Sequence, residues 1–117
     1  MGYGTIDEFL KRREALNETL TQRSDLLMKR FLRLDTAAYE SGALEDRVKE
    51  LLGLVASLVL RCDDCVAYHL DRCYEKGVSF EEVREVLGVG MVVGGSITIP
   101  HVRRAVALWE SMEERSR

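Results

Sequence analysis

The 117-residue chain contains a single proline, Pro100. Proline removes a backbone hydrogen-bond donor and breaks helices from within, so its scarcity leaves long stretches free to form helices. Apolar residues make up 46% of the chain and charged residues 32%. This composition is typical of a soluble globular protein, and the length predicts one domain over residues 1–117.

The charge pattern and the amino terminus narrow the class of protein further. The formal net charge is -3 and both signs are mixed along the chain, so we expect no nucleic-acid partner. The opening MGYGTIDEFLKRR carries acids early and lacks an apolar segment, which argues against a signal peptide. The longest strongly apolar stretch, residues 51–60, is too short to cross a membrane. We therefore predict a cytoplasmic protein without membrane contact.

Apolar residues recur at helical spacing in the first third of the chain, where two amphipathic helices are predicted. The sequence does not define the boundary between them. The dipeptide Ser41-Gly42 then interrupts the pattern. The apolar positions are Ile6, Phe9, Leu10, Leu16 and Leu20 in the first helix, and Leu26, Leu27, Phe31, Leu34 and Ala38 in the second.

A third helix is predicted over residues 44–60, with apolar side chains on all sides, which is typical of a central, buried helix. The acids Asp63 and Asp64 follow it, and acids are typical of a first helical turn. A fourth helix should therefore begin near Cys62 and end at Gly77. In the third helix, Val48, Leu51, Leu52, Val55 and Val59 form one stripe, and Leu54, Leu58 and Leu60 lie on the other sides.

Two further helices are predicted towards the carboxyl terminus. Ser79 and Glu82 have the spacing of a capping box, so a fifth helix should start there. Its continuation LGVGMVVGG is ambiguous, because valine favours strands and glycine weakens both structures. A last helix is predicted after Ser96, with Pro100 in its first turns. Its inward face should consist of Val102, Ala105, Val106, Trp109 and Met112.

A group of cysteine and histidine side chains shares one face of the predicted fourth helix. Its members are three, four and four residues apart, and residues at these spacings are neighbours on a helix. Ala67 and Asp71 should point away from this face. Reactive and apolar side chains thus share the inward side of one helix. The group consists of Cys62, Cys65, His69 and Cys73.

This arrangement suits thiol–disulfide chemistry. A helix amino terminus, a nearby histidine and a Cys-x-x-Cys spacing each lower the pKa of a thiol, and all three are expected around Cys62 and Cys65. The two sulfurs are also close enough in sequence to form a disulfide. Glu50 is the one acid beside the apolar run of the third helix, and its carboxylate is placed to orient His69 or to relay its proton.

A glutamate followed twelve residues later by Cys-x-x-Cys-x-x-x-His resembles the active-site signature of the alkylhydroperoxidase D-like and carboxymuconolactone decarboxylase superfamily. Here it reads Glu50, then CDDCVAYH at residues 62–69. The flanking KELLGLVASLVLRC and EEVREVLGVGMVVGGS also resemble that family, over roughly residues 44–108. The resemblance implies an all-α bundle of about six helices, assembled into trimers or hexamers, and it favours helix for LGVGMVVGG.

The resemblance also implies a function. In the peroxidase branch, the two cysteines cycle between dithiol and disulfide. By position, Cys65 would attack the peroxide, Cys62 would be its partner, and His69 and Glu50 would form a proton relay. We therefore expect a hydroperoxide or disulfide substrate, an unidentified protein or thiol reductant, and no cofactor or metal.

One position departs from this pattern. The peroxidase branch often has a histidine directly before the second cysteine, where this chain has Asp64. A carboxylate close to a thiol raises the pKa of that thiol, which argues against full peroxidase activity. The alternative function is a lyase of the carboxymuconolactone decarboxylase type, or a small-molecule binding protein on the same fold, without redox turnover.

Other interpretations of the same side chains stay open. The two motif cysteines are consistent with inert, buried packing residues. A zinc site would combine them with His69 and either Cys73 or Glu50, but four ligands along one helix span too great a length to converge unless subunits share the metal. Cys73 itself is expected to be a packing residue, and His101 to be structural or exposed.

Overall fold

The computed structural model describes residues 4–117, and within this range the chain forms α-helices and no strand. The prediction that the chain lacks an export signal rests partly on residues 1–3, which lie outside the described range. None of the described helices is long and apolar enough to cross a membrane. The elements are α1 (Ile6–Arg23), α2 (Leu26–Ala38), α3 (Asp46–Val59), α4 (Asp63–Glu75), α5 (Phe80–Gly94), a short 3-10 helix (Ser96–Thr98) and α6 (Ile99–Arg115). The predicted all-α class with about six helices is confirmed.

Polar side chains fix the starts of several helices. The Asp25 carboxylate accepts a hydrogen bond from the backbone N–H of Met28, and this cap separates α1 from α2 at the boundary that the apolar pattern left undefined. Ser79 and Glu82 form the predicted capping box at the start of α5. Such caps satisfy N–H groups that have no partner inside the helix.

The core lies where α3 packs against α4 and α5, and α4 against α6 and α1. Its centre is formed by leucines such as Leu54, Leu58 and Leu70, which are fully buried. Burying each of these side chains contributes about 1.5–3 kcal/mol. The segment LGVGMVVGG is helical as far as Gly94. A Cβ at Gly90 would lie 2.6 Å from a methyl carbon of Leu58, so this glycine lets α5 approach α3 closely, and packing outweighs local propensity.

The buried face of α3 is not the predicted one. It consists of Glu50, Gly53, Leu54, Ser57 and Leu58, while the predicted stripe from Val48 to Val59 is half-buried or exposed. The prediction of a helix buried on all sides is therefore wrong for this chain. Its neighbours pack most closely where α3 carries small side chains. Ala67 and Asp71, predicted to point away from the face that carries the cysteines and His69, are buried as well, because α4 is covered by α1 and α6 in addition to α3.

Helix α2 contributes no buried side chain to the chain's own core. Its apolar residues follow the predicted helical spacing but point outward, and the side chains of Leu27, Phe31 and Leu34 are 73%, 67% and 65% exposed. Isolated exposed leucines are ordinary, whereas a continuous apolar helix face is unusual on a monomer. The single chain thus leaves this face uncovered.

Candidate redox site

A tight turn joins α3 to α4 and places Cys62 at the start of α4. Arg61 adopts a φ of 60°, in the left-handed region that glycine normally occupies. The N–H of Cys62 donates to the carbonyl of Ser57 at 3.0 Å, and the N–H of Arg61 donates to that of Leu58 at 2.9 Å, which is the Schellman pattern. Cys62 is the N-cap residue of α4, and its sulfur accepts a hydrogen bond from the N–H of Cys65 at 3.3 Å.

Cys62 and Cys65 form a disulfide, with their Cα atoms 5.3 Å apart. Cys62 is half-buried, whereas Cys65 is exposed. Neither cysteine is therefore a buried packing residue. Cys73, two turns further along α4, is fully buried, and burial raises the pKa of its thiol to about 12. The inward face that the spacing predicted thus separates into an accessible disulfide and a buried third thiol.

His69 and Glu50 form a buried pair across the α3–α4 contact. Nδ1 of His69 lies 2.9 Å from Oε1 of Glu50, and the two side chains are 9% and 4% exposed. A carboxylate only accepts hydrogen bonds, so Nδ1 carries the proton and donates it. The predicted proximity of the two residues is confirmed, and Glu50 is not an ordinary exposed acid at a helix end.

Gly53 makes room for the imidazole of His69. A Cβ at this position would lie 2.6 Å from Cε1 and 2.7 Å from Nε2 of His69. Any larger side chain would have to displace the ring. The small residue therefore sets where His69 sits on the face of α3.

Tyr39, which belongs to no sequence motif, contacts the other side of His69. Its hydroxyl lies 3.4 Å from Nε2 of His69, and the two ring centroids are 5.1 Å apart. With Nδ1 protonated, Nε2 is the acceptor and Tyr39 the donor. Burial, with the nearby Asp35 and Glu50 carboxylates, raises the pKa of Tyr39, so the hydroxyl keeps its proton. Tyr39 follows the last residue of α2, and no spacing rule connects it with α4.

Two cavities adjoin the His69–Glu50 pair. The first has a volume of about 240 Å³ and is lined by both Cys65 and His69, so the exposed sulfur and the imidazole face one small space. Arg13, Asp35, Asp64 and Tyr68 complete its lining. The second, of about 300 Å³, lies on the Glu50 side and includes Tyr39, Tyr68, Arg72 and Lys76.

Asp64 and His101 occupy different environments. Asp64 is exposed, and it lines the cavity that holds Cys65. His101 is not isolated, because its Nδ1 lies 2.6 Å from Oδ1 of Asp63. Within residues 4–117, no group of three or more histidine, cysteine or acidic side chains is arranged to hold a metal ion. The two sulfurs of the zinc alternative are joined to each other instead.

The family model of the carboxymuconolactone decarboxylase family matches residues 25–108. The chain therefore belongs to the carboxymuconolactone decarboxylase family. The match includes Glu50, the Cys-x-x-Cys pair and His69, and it also includes α2, which lies before the segment that resembled the family in sequence.

Solved structures agree with this assignment. The chain is 52% identical to a Thermotoga maritima protein known from two crystal structures, with TM-scores of 0.90 and 0.88. The matches cover 93% of this chain and 96% and 92% of the other. One of the two is described as a carboxymuconolactone decarboxylase family protein with a suggested role in an antioxidative response.

Two more distant relatives are also similar to this chain. A Legionella pneumophila family member has a TM-score of 0.82 at 24% identity, covering 90% of this chain and 94% of that one. In sequence, an uncharacterised Cupriavidus necator protein is 28% identical over 93 residues, which is 80% of this chain and 82% of the relative.

Proposed function

We propose that this protein is a thiol–disulfide oxidoreductase that reduces hydroperoxides through Cys65 and Cys62. The observation that carries the proposal is the disulfide at the first turn of α4, whose exposed sulfur shares a cavity with His69. The amino terminus of α4 favours a negative charge on either sulfur. The antioxidative role suggested for the Thermotoga maritima relative is consistent with this chemistry.

The proposed reaction begins when the Cys65 thiolate attacks one oxygen of a hydroperoxide. The O–O bond breaks, the alkoxide leaves and takes up a proton as an alcohol, and Cys65 becomes a sulfenic acid. The Cys62 thiol then attacks the sulfenic sulfur, which forms the disulfide and releases water. A dithiol, or two thiols, must finally reduce the disulfide, so each cycle transfers two electrons from that reductant to the peroxide. The predicted cytoplasmic location would supply such thiols.

In this proposal His69 and Glu50 transfer the protons. His69 accepts a proton from the attacking thiol through Nε2, directly or through water, and returns it to the leaving alkoxide. Glu50 holds the protonated Nδ1 and stabilises the imidazolium that forms in between. Tyr39 donates to Nε2 in the resting oxidised state, before a proton arrives there.

Steady-state consumption of cumene hydroperoxide, with dithiothreitol as reductant, tests the function. Cys65→Ala should abolish turnover, whereas Cys73→Ala should retain it because that thiol is buried away from the cavity. Turnover at the wild-type rate by Cys65→Ala would exclude the proposal. Trapping with dimedone assigns the roles, since Cys62→Ser should accumulate a sulfenic acid on Cys65 and Cys65→Ser should form no adduct.

The alternative function uses the same fold without redox turnover. The cavity of about 300 Å³ beside Glu50 is large enough for a small ligand and favours a polar one, because its lining combines Arg72 and Lys76 with several acids. This lyase or binding function predicts that alkylating the reduced cysteines leaves ligand binding or lactone turnover unchanged. Loss of hydroperoxide consumption on alkylation supports the redox proposal instead.

We also propose that the protein acts as a homo-oligomer, a trimer or hexamer by family resemblance. The support is the uncovered apolar face of α2, with further exposed valines in α5 such as Val92 and Val93, which are 86% and 68% exposed. A second copy of the chain is the partner that would cover these faces. Light scattering coupled to size-exclusion chromatography should give three or six chain masses for the wild type. Phe31→Glu should lower that mass, and a wild-type monomer would contradict the proposal.

A further inference from the structure

A cluster of charged side chains ties the first turn of α4 to α6. Asp63 is the first residue of α4 and directly follows Cys62. Nδ1 of His101 lies 2.6 Å from Oδ1 of Asp63, and Nε of Arg104 donates to Oδ2 at 3.0 Å. Both partners of the carboxylate come from α6, a helix that supplies neither the disulfide nor the His69–Glu50 pair. The contacts bring positive charge to the turn that carries the redox pair.

We propose that Arg104 is a positioning residue that neutralises Asp63 and so sets how readily the Cys62–Cys65 disulfide is reduced. This inference rests on the proposed redox function, because it assigns a control element to the same disulfide. It concerns the equilibrium between disulfide and dithiol, and does not depend on which oxidant the protein meets.

The charge of Asp63 affects the stability of the reduced form. Reduction opens the disulfide and leaves two sulfurs, and a thiolate that forms there gains from the helix amino terminus. An uncompensated Asp63 carboxylate next to Cys62 would repel that thiolate and disfavour the reduced form. The Arg104 guanidinium is always protonated, so it offsets the carboxylate at any ordinary pH. The side chains of Arg104 and Asp63 are only 28% and 31% exposed, so solvent screens their charges incompletely.

The test is equilibration of the wild type and charge variants with mixtures of reduced and oxidised glutathione at pH 7. One protein disulfide and two glutathione molecules give the protein dithiol and one glutathione disulfide, so the fraction reduced yields an equilibrium constant. Arg104→Gln should lower this constant about threefold to tenfold, which makes the reduction potential of the disulfide more negative by about 14–30 mV. Asp63→Asn should raise it by a similar factor, and the double variant should lie near the wild type.

Two matched variants distinguish an effect of charge from a structural effect of the substitution. Arg103→Gln removes the same formal charge from an exposed neighbouring position of α6 and should change the constant less than twofold. Arg104→Lys keeps the charge and should also stay within twofold of the wild type. Shifts of Arg104→Gln and Asp63→Asn in the same direction, or no shift in either, would overturn the inference alone. A wild-type protein that forms no Cys62–Cys65 disulfide in any mixture would overturn the proposed function as well.

Discussion

His69 donates from Nδ1 to Glu50 across 2.9 Å in the interior of the protein. The two residues lie on successive helices, on either side of the turn at Arg61. The turn places the Cys-x-x-Cys pair at the start of α4. It also reverses the chain direction, so that His69 contacts α3. In the proposed mechanism, the accessible sulfurs of Cys62 and Cys65 therefore lie near the buried imidazole that carries the proton.

Replacing Glu50 with glutamine removes the negative charge and keeps nearly the same side-chain shape. Glu50→Gln should slow the oxidation of the reduced protein by hydroperoxide roughly 10- to 100-fold, because the amide no longer stabilises an imidazolium. Stopped-flow measurement of thiol loss gives the rate. Glu45→Gln, at an exposed position before α3, is the control and should keep the wild-type rate. Equal rates for Glu50→Gln and the wild type would remove Glu50 from the relay.

Gly53 provides a steric test of the position of His69. Gly53→Ala would put a Cβ 2.6 Å from the imidazole, so we expect slower peroxide oxidation and a loss of about 1–3 kcal/mol in the free energy of unfolding. Gly88→Ala is the control, because a Cβ at that helical position meets no atom within 4 Å. It should stabilise the protein by about 0.5–1 kcal/mol. Chemical denaturation compares the two, and an equally stabilised Gly53→Ala protein would contradict the close approach.

The hydroxyl of Tyr39 is expected to contribute to the rate through His69. Tyr39→Phe keeps the ring but removes the donor to Nε2, and a lost neutral hydrogen bond corresponds to about a twofold to tenfold change in rate. Tyr74→Phe is a matched control, because its hydroxyl donates to Ser116 instead. Both variants are compared by the rate of thiol loss with hydroperoxide. The same rate change in both variants would show that Tyr39 has no particular link to His69.

The Cys73 thiol should not react when the thiols of the native protein are counted with an alkylating probe. Burial raises the pKa of its thiol to about 12, and only the thiolate reacts rapidly with alkylating probes. Reduced native protein should therefore expose two reactive thiols, and denatured protein three. A third rapidly reacting thiol in the native protein would place Cys73 at the surface.

The same burial predicts a pH dependence of stability. The Cys73 thiol would ionise near its ordinary pKa of 9.0 in the unfolded chain but only near about 12 in the folded one. Between these values the unfolded state holds fewer protons, so rising pH favours unfolding by up to about 1.4 kcal/mol per pH unit. Denaturation of the oxidised protein above pH 9 measures this slope. Cys73→Ala should show a shallower slope than the wild type, and identical slopes would be inconsistent with the raised pKa.

Much of the fold could be predicted from local signals. The Ser79–Glu82 capping box and the absence of proline before position 100 placed the helices, and the Cys62–His69 spacing placed the motif on one of them. These features depend on neighbours within a few residues, which a single sequence records.

Other features depend on contacts between distant residues. The break between α3 and α4 was predicted, but Arg61 occupies a left-handed position that glycine normally marks, so the geometry of the turn could not be predicted. Tyr39 and His69 are 30 residues apart, and His101 and Asp63 are 38 apart, with no pattern linking them. The buried face of α3 was misassigned because leucine and valine occur on all sides of this helix, so their spacing did not single out the face that carries Gly53 and Ser57.

The most direct measurement is a single turnover. The fully reduced protein is mixed with one equivalent of cumene hydroperoxide, and its thiols and intact mass are then determined. The account predicts that two of three thiols disappear, that the mass falls by two hydrogens, and that peptide mapping finds one Cys62–Cys65 disulfide. Three remaining thiols and an unchanged mass would contradict it.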